Sequence, residues 1–352
     1  MAGIMKAAVY HEPRHITLEQ VPIPEIGPHD VLIKVHACGI CGSDVHSYKA
    51  GFYIRPGQIM GHEFMGEVAK CGDEVRDVEV GDRVTGFSIG TCGTCYWCQR
   101  QQFHLCPELF KNSTGYGRPG ALAEYVKVEY ALLGATIHKL PPEIDDETGA
   151  TAEPTAVGVG TVAQAGVQPG DTVVVLGAGM IGNACMQAAK AAGAKQVVVI
   201  EVSPVRLEAA RRLGADAVFD AREGDPLTWV KETVGIGPYH FHEGGMADVV
   251  IEAAGAPATI QQSFEMVRSG GTIAFVGLPE GPAPIDTTKI VHKQPRIIGC
   301  LGGDVARSIE LLASKRIQTA PLITHRFPLD AAPDGFETQL RATEAIKVMV
   351  KM

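Results

Sequence analysis

The middle of the chain alternates apolar, strand-like runs with helix-like segments, and this alternation constrains the fold more than any other feature. From Thr151 the order is helix, strand, helix, strand and helix, and it continues to the strand-like run GTIAFVGLP. Such an order is typical of a parallel sheet with right-handed crossover helices. The strands are apolar throughout, which predicts that both faces of the sheet are covered. The sequence therefore predicts an α/β domain with a doubly wound parallel sheet.

The segments on either side of this region have a different pattern. Roughly the first 150 residues contain short β-branched runs bounded by Pro and Gly, without a helical period. A mixed pattern returns after about residue 298. We therefore predict a mostly β domain formed by residues 1–152 and 299–352, into which the α/β domain of residues 153–298 is inserted. A length of 352 residues fits about two domains.

Charge and hydrophobicity exclude some classes of partner. The chain has 31 basic and 40 acidic residues, a formal charge of −9. We therefore expect no nucleic-acid partner, because a phosphate binder needs concentrated positive charge. No apolar run reaches the roughly 18 residues of a membrane span, and the first ten residues do not fit a secretory signal. These observations predict a cytoplasmic protein.

A glycine-rich turn follows the first strand of the α/β domain. Gly177, Gly179 and Gly182 form G-x-G-x-x-G between an apolar strand and a helix, the context of a dinucleotide site. Glu201 lies at the end of the next strand, where a carboxylate would bind ribose hydroxyls and repel a 2′-phosphate. This favours NAD over NADP, although Glu201 could also be a solvated strand end. Arg206 could weaken the preference, or could simply lie on the next helix.

Four of the nine cysteines lie within fifteen residues. Cys92, Cys95, Cys98 and Cys106 form C-x2-C-x2-C-x7-C, and such crowding favours a metal over disulfides in a chain without a secretory signal. Four thiolates suit zinc in a closed structural site. An iron–sulfur cluster is the chemical alternative. We predict a structural zinc lobe at about residues 90–110.

A second group of potential ligands is spread over three segments. It comprises Cys41, Ser43, Asp44 and His46 in CGICGSDVH, His62 and Glu63 in GHEFMGEV, and Glu153 at the start of a helix. Thiolate, imidazole and carboxylate are ligands of catalytic zinc sites that keep one position open. Each residue alone is a weak signal, because single Cys and His residues are usually packed without a metal.

An insert before the run ADVVIEAAG carries His240, His242 and Glu243 in YHFHEGG. We predict a solvated loop here, with metal binding by H-x-H-E as the alternative.

Taken together, these motifs resemble the zinc-dependent medium-chain alcohol dehydrogenases, and within them the polyol and secondary-alcohol branch of sorbitol, threonine and butanediol dehydrogenases. The resemblance covers nearly the whole chain and follows the family's order. It includes the opening KAAVYHEP, the metal segments, GDRV, the cysteine lobe, the Glu-Pro at 153 and 154, the glycine turn, and the closing ITHRFPL and EAIKVMV. It implies a Rossmann domain inserted into a GroES-like catalytic domain.

The resemblance assigns roles to the second group of ligands. It implies that Cys41 and His62 bind the catalytic zinc and that Glu153 falls on the third position. It leaves open whether Glu153 binds directly or through water, and whether Glu63 enters the coordination shell.

The same resemblance implies the groups around the metal and the cofactor. Asp44 would orient a ligand imidazole, and Ser43 and His46 would relay protons. The predicted cofactor-binding set is Gly177, Gly179, Met180, Ile181, Gly182, Glu201, Arg206 and Gly277.

The predicted function is hydride transfer between a secondary alcohol or polyol and NAD, giving ketone and NADH, with one catalytic and one structural zinc per subunit. Two alternatives stay open. They are an NADPH-preferring carbonyl reductase and a protein that binds zinc and nucleotide without turnover. The expected partner is a small alcohol or ketone. By family analogy we expect a homotetramer, with a homodimer as the alternative.

Overall fold

A computed structural model describes residues 3–87, 90–279 and 281–352. Contacts divide the chain into two units. Unit 1 comprises Met1–Pro154, Val305–Ser314 and Thr319–Met352, and unit 2 comprises Thr155–Asp304 and Lys315–Gln318. The second boundary lies six residues later than the predicted start at 299, because Asp304 donates its backbone N–H to Ala156.

The first stretch of the chain is rich in strands, as predicted. Its elements are β1 Ile4–Glu12, β2 His15–Pro22, β3 Val31–Gly39, α1 Gly42–Ala50, β4 Gln58–Ile59, β5 Glu63–Cys71, β6 Arg83–Gly86, α2 Leu109–Asn112, β7 Tyr125–Val128, β8 Ile137–Lys139, α3 Asp146–Ala150 and α4 Ala152–Ala165.

The middle of the chain contains the alternating elements. They are β9 Thr172–Leu176, α5 Met180–Ala191, β10 Gln196–Glu201, α6 Pro204–Arg212, β11 Ala217–Asp220, α7 Pro226–Val234, β12 Ile236–Tyr239, β13 His242–Gly245, β14 Ala247–Glu252, α8 Pro257–Met266, β15 Val267–Phe275, α9 Thr287–Lys293 and β16 Arg296–Gly299. The last stretch adds α10 Val305–Ala313, β17 Ile323–Pro328, α11 Ala332–Gln339 and β18 Lys347–Lys351.

Unit 2 is built on a parallel sheet. Among its described residues the strand order is β11-β10-β9-β14-β15-β16, and every pair in this sheet is parallel. This is the doubly wound order, in which β10 and β11 are added on one side of β9 and β14, β15 and β16 on the other. The predicted α/β fold is therefore confirmed. Valines and isoleucines of the central strands form its apolar core.

Unit 1 is built mostly on antiparallel strands, although β17 and β18 pair in parallel. In the described part of the chain, one sheet has the order β17-β18-β3-β5-β6-β8 with β7 also paired to β3, and a second has the order β2-β1-β4. The C-terminal strand β18 pairs with β3, so the end of the chain completes the sheet that its beginning starts. This pairing is the reason that the chain returns to the first domain.

Two predicted elements are wrong in detail. The run TIQQSFEMVRSG predicts a helix up to Gly270, but α8 ends at Met266, because Val267 begins β15 and pairs with Ala247. The insert expected to be a loop is a hairpin of β12 and β13, with Tyr239 paired to His242. No helix among the described residues is long and apolar enough to cross a membrane.

Candidate active site and metal centres

The helix α1 places three of the predicted residues. Cys41 immediately precedes α1, and its backbone N–H donates to Asp44 Oδ2 at 3.0 Å. This bond satisfies a donor at the start of the helix, so the C-x-x-D spacing is explained by capping as well as by chemistry. Ser43 and His46 are three residues apart on α1 and therefore lie on the same side of it. Both side chains are half-buried.

The strand β5 brings His62 and Glu63 to the same place. Glu63 begins β5 and pairs with Gly39 at the end of β3, two residues before Cys41. A side chain at position 39 would collide with the Glu63 carboxylate as it lies here, so glycine leaves room for this carboxylate. The register of β3 and β5 therefore joins segments that are about twenty residues apart in sequence.

The ligand atoms of Cys41, His62 and Glu63 all lie within 4.8 Å of one another. His62 is 3% exposed and Glu63 is 1% exposed. His62 Nδ1 lies 3.4 Å from Asp44 Oδ1, yet among the described residues it has no hydrogen-bond partner. Asp44 thus occupies the Nδ1 side of the ring, which leaves Nε2 as the metal-binding nitrogen. The half-buried Cys41 thiol, the buried His62 imidazole and the buried Glu63 carboxyl group form a donor set that fits zinc.

The electrostatics of this cluster favour a cation. Burial opposes protonation of His62, but Tyr116, Asp44 and Cys41 raise its pKa well above the usual range. The groups that raise this pKa are a phenol, a carboxyl group and a thiol beside the imidazole. A divalent cation would satisfy the same groups, and it would replace that proton.

Glu63 has a buried partner that the sequence did not identify. Lys347 Nζ donates to Glu63 Oε1 at 2.7 Å and to the Ile40 carbonyl at 2.9 Å. Burial lowers the pKa of Lys347, but the attraction of Glu63 outweighs it and the net shift is upward. The only sequence signal is a lysine inside the apolar run AIKVMV, where a charge needs a buried partner.

Glu153 lies in the first turn of α4 and is 7% exposed. Burial raises its pKa to about 7, with a lowering effect of His62 and a raising effect of Glu63. Among the described residues, however, the group whose ligand atoms lie within 4.8 Å contains Glu63 and does not contain Glu153. The role of Glu153 as a direct ligand stays a prediction.

Tyr116 is a further residue at this cluster that the sequence did not single out. Its hydroxyl lies 2.7 Å from Ser43 Oγ. It lies in the turn-rich segment STGYGRPG, which carries no motif that would indicate a role.

The four-cysteine group is compact. Cys92 Sγ lies 4.0 Å from Cys98 Sγ and 3.7 Å from Cys106 Sγ, and Cys95 Sγ lies 3.5 Å from Cys98 Sγ. Four sulfurs at about 2.3 Å from one zinc would be about 3.8 Å apart, so the spacing fits a tetrahedral site. Backbone N–H groups of Thr94 and Cys95 lower the pKa of the Cys92 thiol to about 6, which favours the thiolate that binds metal.

The glycine turn has the conformation that a dinucleotide site needs. Gly177 follows β9 with φ of +93°, and a side chain at Gly182 would collide with the Gly177 carbonyl oxygen. Gly179 precedes α5, and a Cβ built there would meet nothing closer than Arg206 Nη1 at 3.9 Å. The space beside Gly179 and the N–H groups at the start of α5 therefore fit a pyrophosphate. Met180 and Ile181 form the first turn of this helix.

Glu201 and Arg206 lie next to this turn. Glu201 is 7% exposed, and it accepts hydrogen bonds from the N–H groups of Ala178 at 2.8 Å and Val202 at 2.7 Å. Arg206 Nη1 lies 3.9 Å from Glu201 Oε2. The two side chains therefore place a carboxylate and a guanidinium together where the adenosine ribose of a dinucleotide would bind.

Gly277 lies just after β15, where a Cβ would come within 2.4 Å of the Gly255 nitrogen. The position therefore requires glycine for close approach of two loops beside the neighbouring strands β14 and β15. The role of Gly277 in cofactor binding stays a prediction.

His240 and His242 lie at the tip of the β12–β13 hairpin and face a third histidine. The ring of His292 lies 4.9 Å from that of His240 and 6.5 Å from that of His242, centroid to centroid. Among the described residues, these three are not a group whose ligand atoms lie within 4.8 Å of one another.

The sheet order of unit 2 and the two sets of ligands in unit 1 define the class of nucleotide-dependent, zinc-binding oxidoreductases. Two family models match the chain, an alcohol dehydrogenase GroES-like domain over residues 27–142 and a zinc-binding dehydrogenase over residues 181–316. The chain belongs to the zinc-dependent medium-chain alcohol dehydrogenase family, and it is an oxidoreductase that acts on CH–OH groups.

Individual relatives agree with this assignment. Sorbitol dehydrogenase of Bacillus subtilis is 36% identical over 98% of this chain and 97% of its own length. L-Threonine 3-dehydrogenase of Sinorhizobium fredii is 36% identical over 99% of each chain. A zinc-binding dehydrogenase from Sinorhizobium meliloti, crystallised with NADP, superimposes with a TM-score of 0.90 at 34% identity over 99% of this chain and all of that one. The predicted resemblance to the polyol branch is confirmed.

Proposed function

We propose that this chain is an NAD-dependent dehydrogenase of secondary alcohols or polyols, which it converts to ketones. The observation that carries the proposal is the cluster of Cys41, His62 and Glu63, which the Tyr116 hydroxyl links to Ser43, since this hydroxyl lies 2.7 Å from Ser43 Oγ and 3.5 Å from His62 Nε2. A site that only bound a metal would not need the Ser43 hydroxyl and the half-buried His46 imidazole on the same side of the neighbouring helix α1.

Cys41, His62 and Glu63 would hold the catalytic zinc. When bound, zinc supplies a Lewis acid that lowers the pKa of an alcohol hydroxyl. Asp44 holds the Nδ1 side of His62, so that the ring presents Nε2 to the cluster. Lys347 fixes the carboxylate of Glu63 and balances part of its charge. We propose that Glu153 acts from beyond this set of ligands, either through water or as a replaceable ligand.

Ser43 and His46 would move the proton. An alcohol that becomes a ketone loses one proton from oxygen and one hydride from carbon. Ser43 Oγ can accept the first while it passes its own proton onward, and His46 on the same side of α1 is the next titratable side chain. The hydride carries the electron pair to the cofactor, so that charge and atoms balance.

Unit 2 would bind the cofactor. When bound, the nicotinamide accepts the hydride. The glycine turn would hold the pyrophosphate, and Glu201 would accept hydrogen bonds from the ribose hydroxyls, which favours NAD. Arg206 beside Glu201 is the observation that favours the second candidate, an NADPH-preferring carbonyl reductase.

The remaining proposals concern the assembly. We propose that Cys92, Cys95, Cys98 and Cys106 hold a second, structural zinc in the lobe around residues 90–110. We further propose a homotetramer, with a homodimer as the alternative, and a cytoplasmic location. Light scattering after size exclusion would decide between the two assemblies.

Steady-state assays test the function. The zinc-loaded protein is assayed with a panel of secondary alcohols and polyols, with NAD⁺ and NADP⁺ in parallel, before and after chelation. We expect NADH production that chelation abolishes and added zinc restores, and a higher kcat/KM with NAD⁺. Tight nucleotide binding without turnover on any member of the panel would instead support the other alternative, a protein that binds zinc and nucleotide without catalysis.

A further inference from the structure

Tyr116 contacts two residues of the proposed active site at once. Its hydroxyl lies 2.7 Å from Ser43 Oγ and 3.5 Å from His62 Nε2. Its ring lies 4.9 Å from the His62 ring, centroid to centroid, with an interplanar angle of 29°. The tyrosine therefore touches both the proposed proton acceptor and a proposed metal ligand.

The position of the Tyr116 ring is fixed by its neighbours. Phe110 packs edge-on against Tyr116 at 5.4 Å, and Tyr53 stacks on Phe110 at 5.2 Å. The aromatic rings form a continuous row from the exposed Tyr53 to the buried His62. Edge-on and offset contacts of this kind are favourable beyond their buried area.

The backbone behind Tyr116 is fixed as well. Gly115 has φ of +82°, and a Cβ there would lie 2.6 Å from the Gly61 carbonyl oxygen. The Gly115 N–H also donates to the Arg118 carbonyl at 2.9 Å. Since Gly61 directly precedes His62, the segment that carries Tyr116 lies back to back with the segment that carries the ligand.

The hydrogen-bond inventory of Ser43 gives this contact a function. A serine hydroxyl has one proton to donate and two lone pairs to accept with. In the proposed proton path, one lone pair accepts the substrate proton and the hydroxyl proton passes onward. The second lone pair is left for Tyr116, whose phenol is the more acidic of the two hydroxyls and is the natural donor.

We propose that Tyr116 is a positioning residue for the proton path, which donates a hydrogen bond to Ser43 and thereby directs the other lone pair and the proton of Ser43 towards substrate and relay. The inference rests on the proposed function. It explains why a tyrosine lies in a segment that has no other motif.

The test is a double-mutant cycle of Tyr116→Phe and Ser43→Ala. Phenylalanine keeps the ring on His62 and removes only the hydroxyl. We expect Tyr116→Phe to lower kcat about 10-fold or more with little change in KM or zinc content, since misaligned proton transfer slows the chemical step. The solvent isotope effect on kcat should rise at the same time. In the Ser43→Ala background, the second substitution should have no further effect on kcat.

A readout independent of turnover accompanies the kinetics. The thermal midpoints of the two single variants and the double variant should be non-additive, because both singles break the same bond. Tyr48→Phe is the matched control. Tyr48 is also buried, and its hydroxyl donates to Glu337 Oε1 at 2.7 Å. Loss of this hydrogen bond should lower the thermal midpoint and leave kcat unchanged.

Two results would overturn the proposal. Wild-type kcat in Tyr116→Phe would remove any role in the proton path, and additive losses in the double variant would show that Tyr116 does not act through Ser43. Both differ from failure of the proposed function, in which the wild-type protein itself shows no chelator-sensitive turnover, and this inference falls with it.

Discussion

At the scale of single residues, the sequence predicts those that belong to local motifs and misses those brought in by the fold. Cys41, His62 and Glu63 are recognisable from their segments, and the register of β3 and β5 brings them together. Lys347 could not be assigned, because its partner is 284 positions away in the chain. The third-ligand position could not be decided either, because it depends on distances between a strand and a helix.

Removal of Lys347 should make the protein depend on metal. In Lys347→Met the buried Glu63 loses its partner, which we expect to cost about 3–5 kcal/mol in the metal-free protein. Zinc would restore a partner, so the gain in thermal midpoint on adding zinc should exceed that of the wild type. Scanning calorimetry with and without zinc measures this gain. Lys351→Met removes an exposed lysine on the same strand, and it should leave the gain in thermal midpoint on adding zinc as in the wild type.

Glu201 should determine the choice of cofactor. Glu201→Gln keeps the shape of the side chain and removes its charge, so the hydrogen bonds to ribose weaken and repulsion of a 2′-phosphate disappears. We expect kcat/KM with NAD⁺ to fall about 10-fold and the ratio of NADP⁺ to NAD⁺ efficiency to rise. Glu208→Gln, an exposed position on α6, is the control. An unchanged ratio would mean that Glu201 serves only to bind the backbone of the glycine turn.

At the scale of helices and strands, most of the α/β alternation follows from the sequence. The strand β15 begins at Val267 because pairing with Ala247 outweighs continuation of α8, and such pairing is not visible in a local window. The insert becomes a hairpin for the same reason, since Tyr239 and His242 pair across a two-residue turn. Local patterns predict the type of an element better than its end.

Lys293 stabilises the end of α8. Its Nζ donates to the carbonyls of Phe264 and Val267, both at 2.8 Å, and to that of Glu265 at 2.9 Å. Burial lowers the pKa of Lys293 to about 8, against a usual 10.5. Lys293→Met should destabilise unit 2 by about 2–3 kcal/mol, because three carbonyls lose their donor.

The pH dependence of this effect has a definite sign. Between pH 8 and pH 10.5 the unfolded chain holds the Lys293 proton and the folded chain does not, so the contribution of this group to unfolding free energy rises with pH. The difference between wild type and Lys293→Met should therefore be larger at pH 9.5 than at pH 7.5. Denaturant unfolding at the two pH values measures it, and a difference that shrinks would contradict the lowered pKa.

The cysteine lobe should depend on its own metal. Cys98→Ser replaces a buried thiol of the group and should remove about one zinc per chain. We expect faster proteolysis within residues 90–110, because few apolar side chains pack there besides the cysteines and Leu109. Cys71→Ser, outside both groups, should leave the zinc content unchanged. Zinc analysis and limited proteolysis together provide the measurement.

At the scale of the whole molecule, the change of sequence pattern predicts that an α/β domain is inserted into a mostly β domain. It predicts the boundaries of the inserted domain only approximately. The change of pattern near residue 150 falls close to the division after Pro154. The later boundary is less clear from sequence because Lys315–Gln318 belong to unit 2, held there by bonds between Gln318 and Gln187. Such short returns have no signature in composition.

Metal removal should affect the two units differently. Both groups of metal ligands lie in unit 1, and each unit has an apolar core of its own. On chelation we therefore expect amide hydrogen exchange to accelerate in peptides of residues 31–71 and 90–110. Peptides of β9, β10 and β14 should keep their protection, and added NAD⁺ should increase it. Equal acceleration in both units would show that they unfold together.

The contact between Gly115 and Gly61 sets a limit on how this enzyme can be re-engineered. Neither glycine tolerates a larger residue, so the loop that carries Tyr116 cannot be moved away from His62 by substitution at this contact. A designer who wants to alter the surroundings of His62 would have to change the rings themselves, at Phe110 or Tyr53, and leave both glycines untouched.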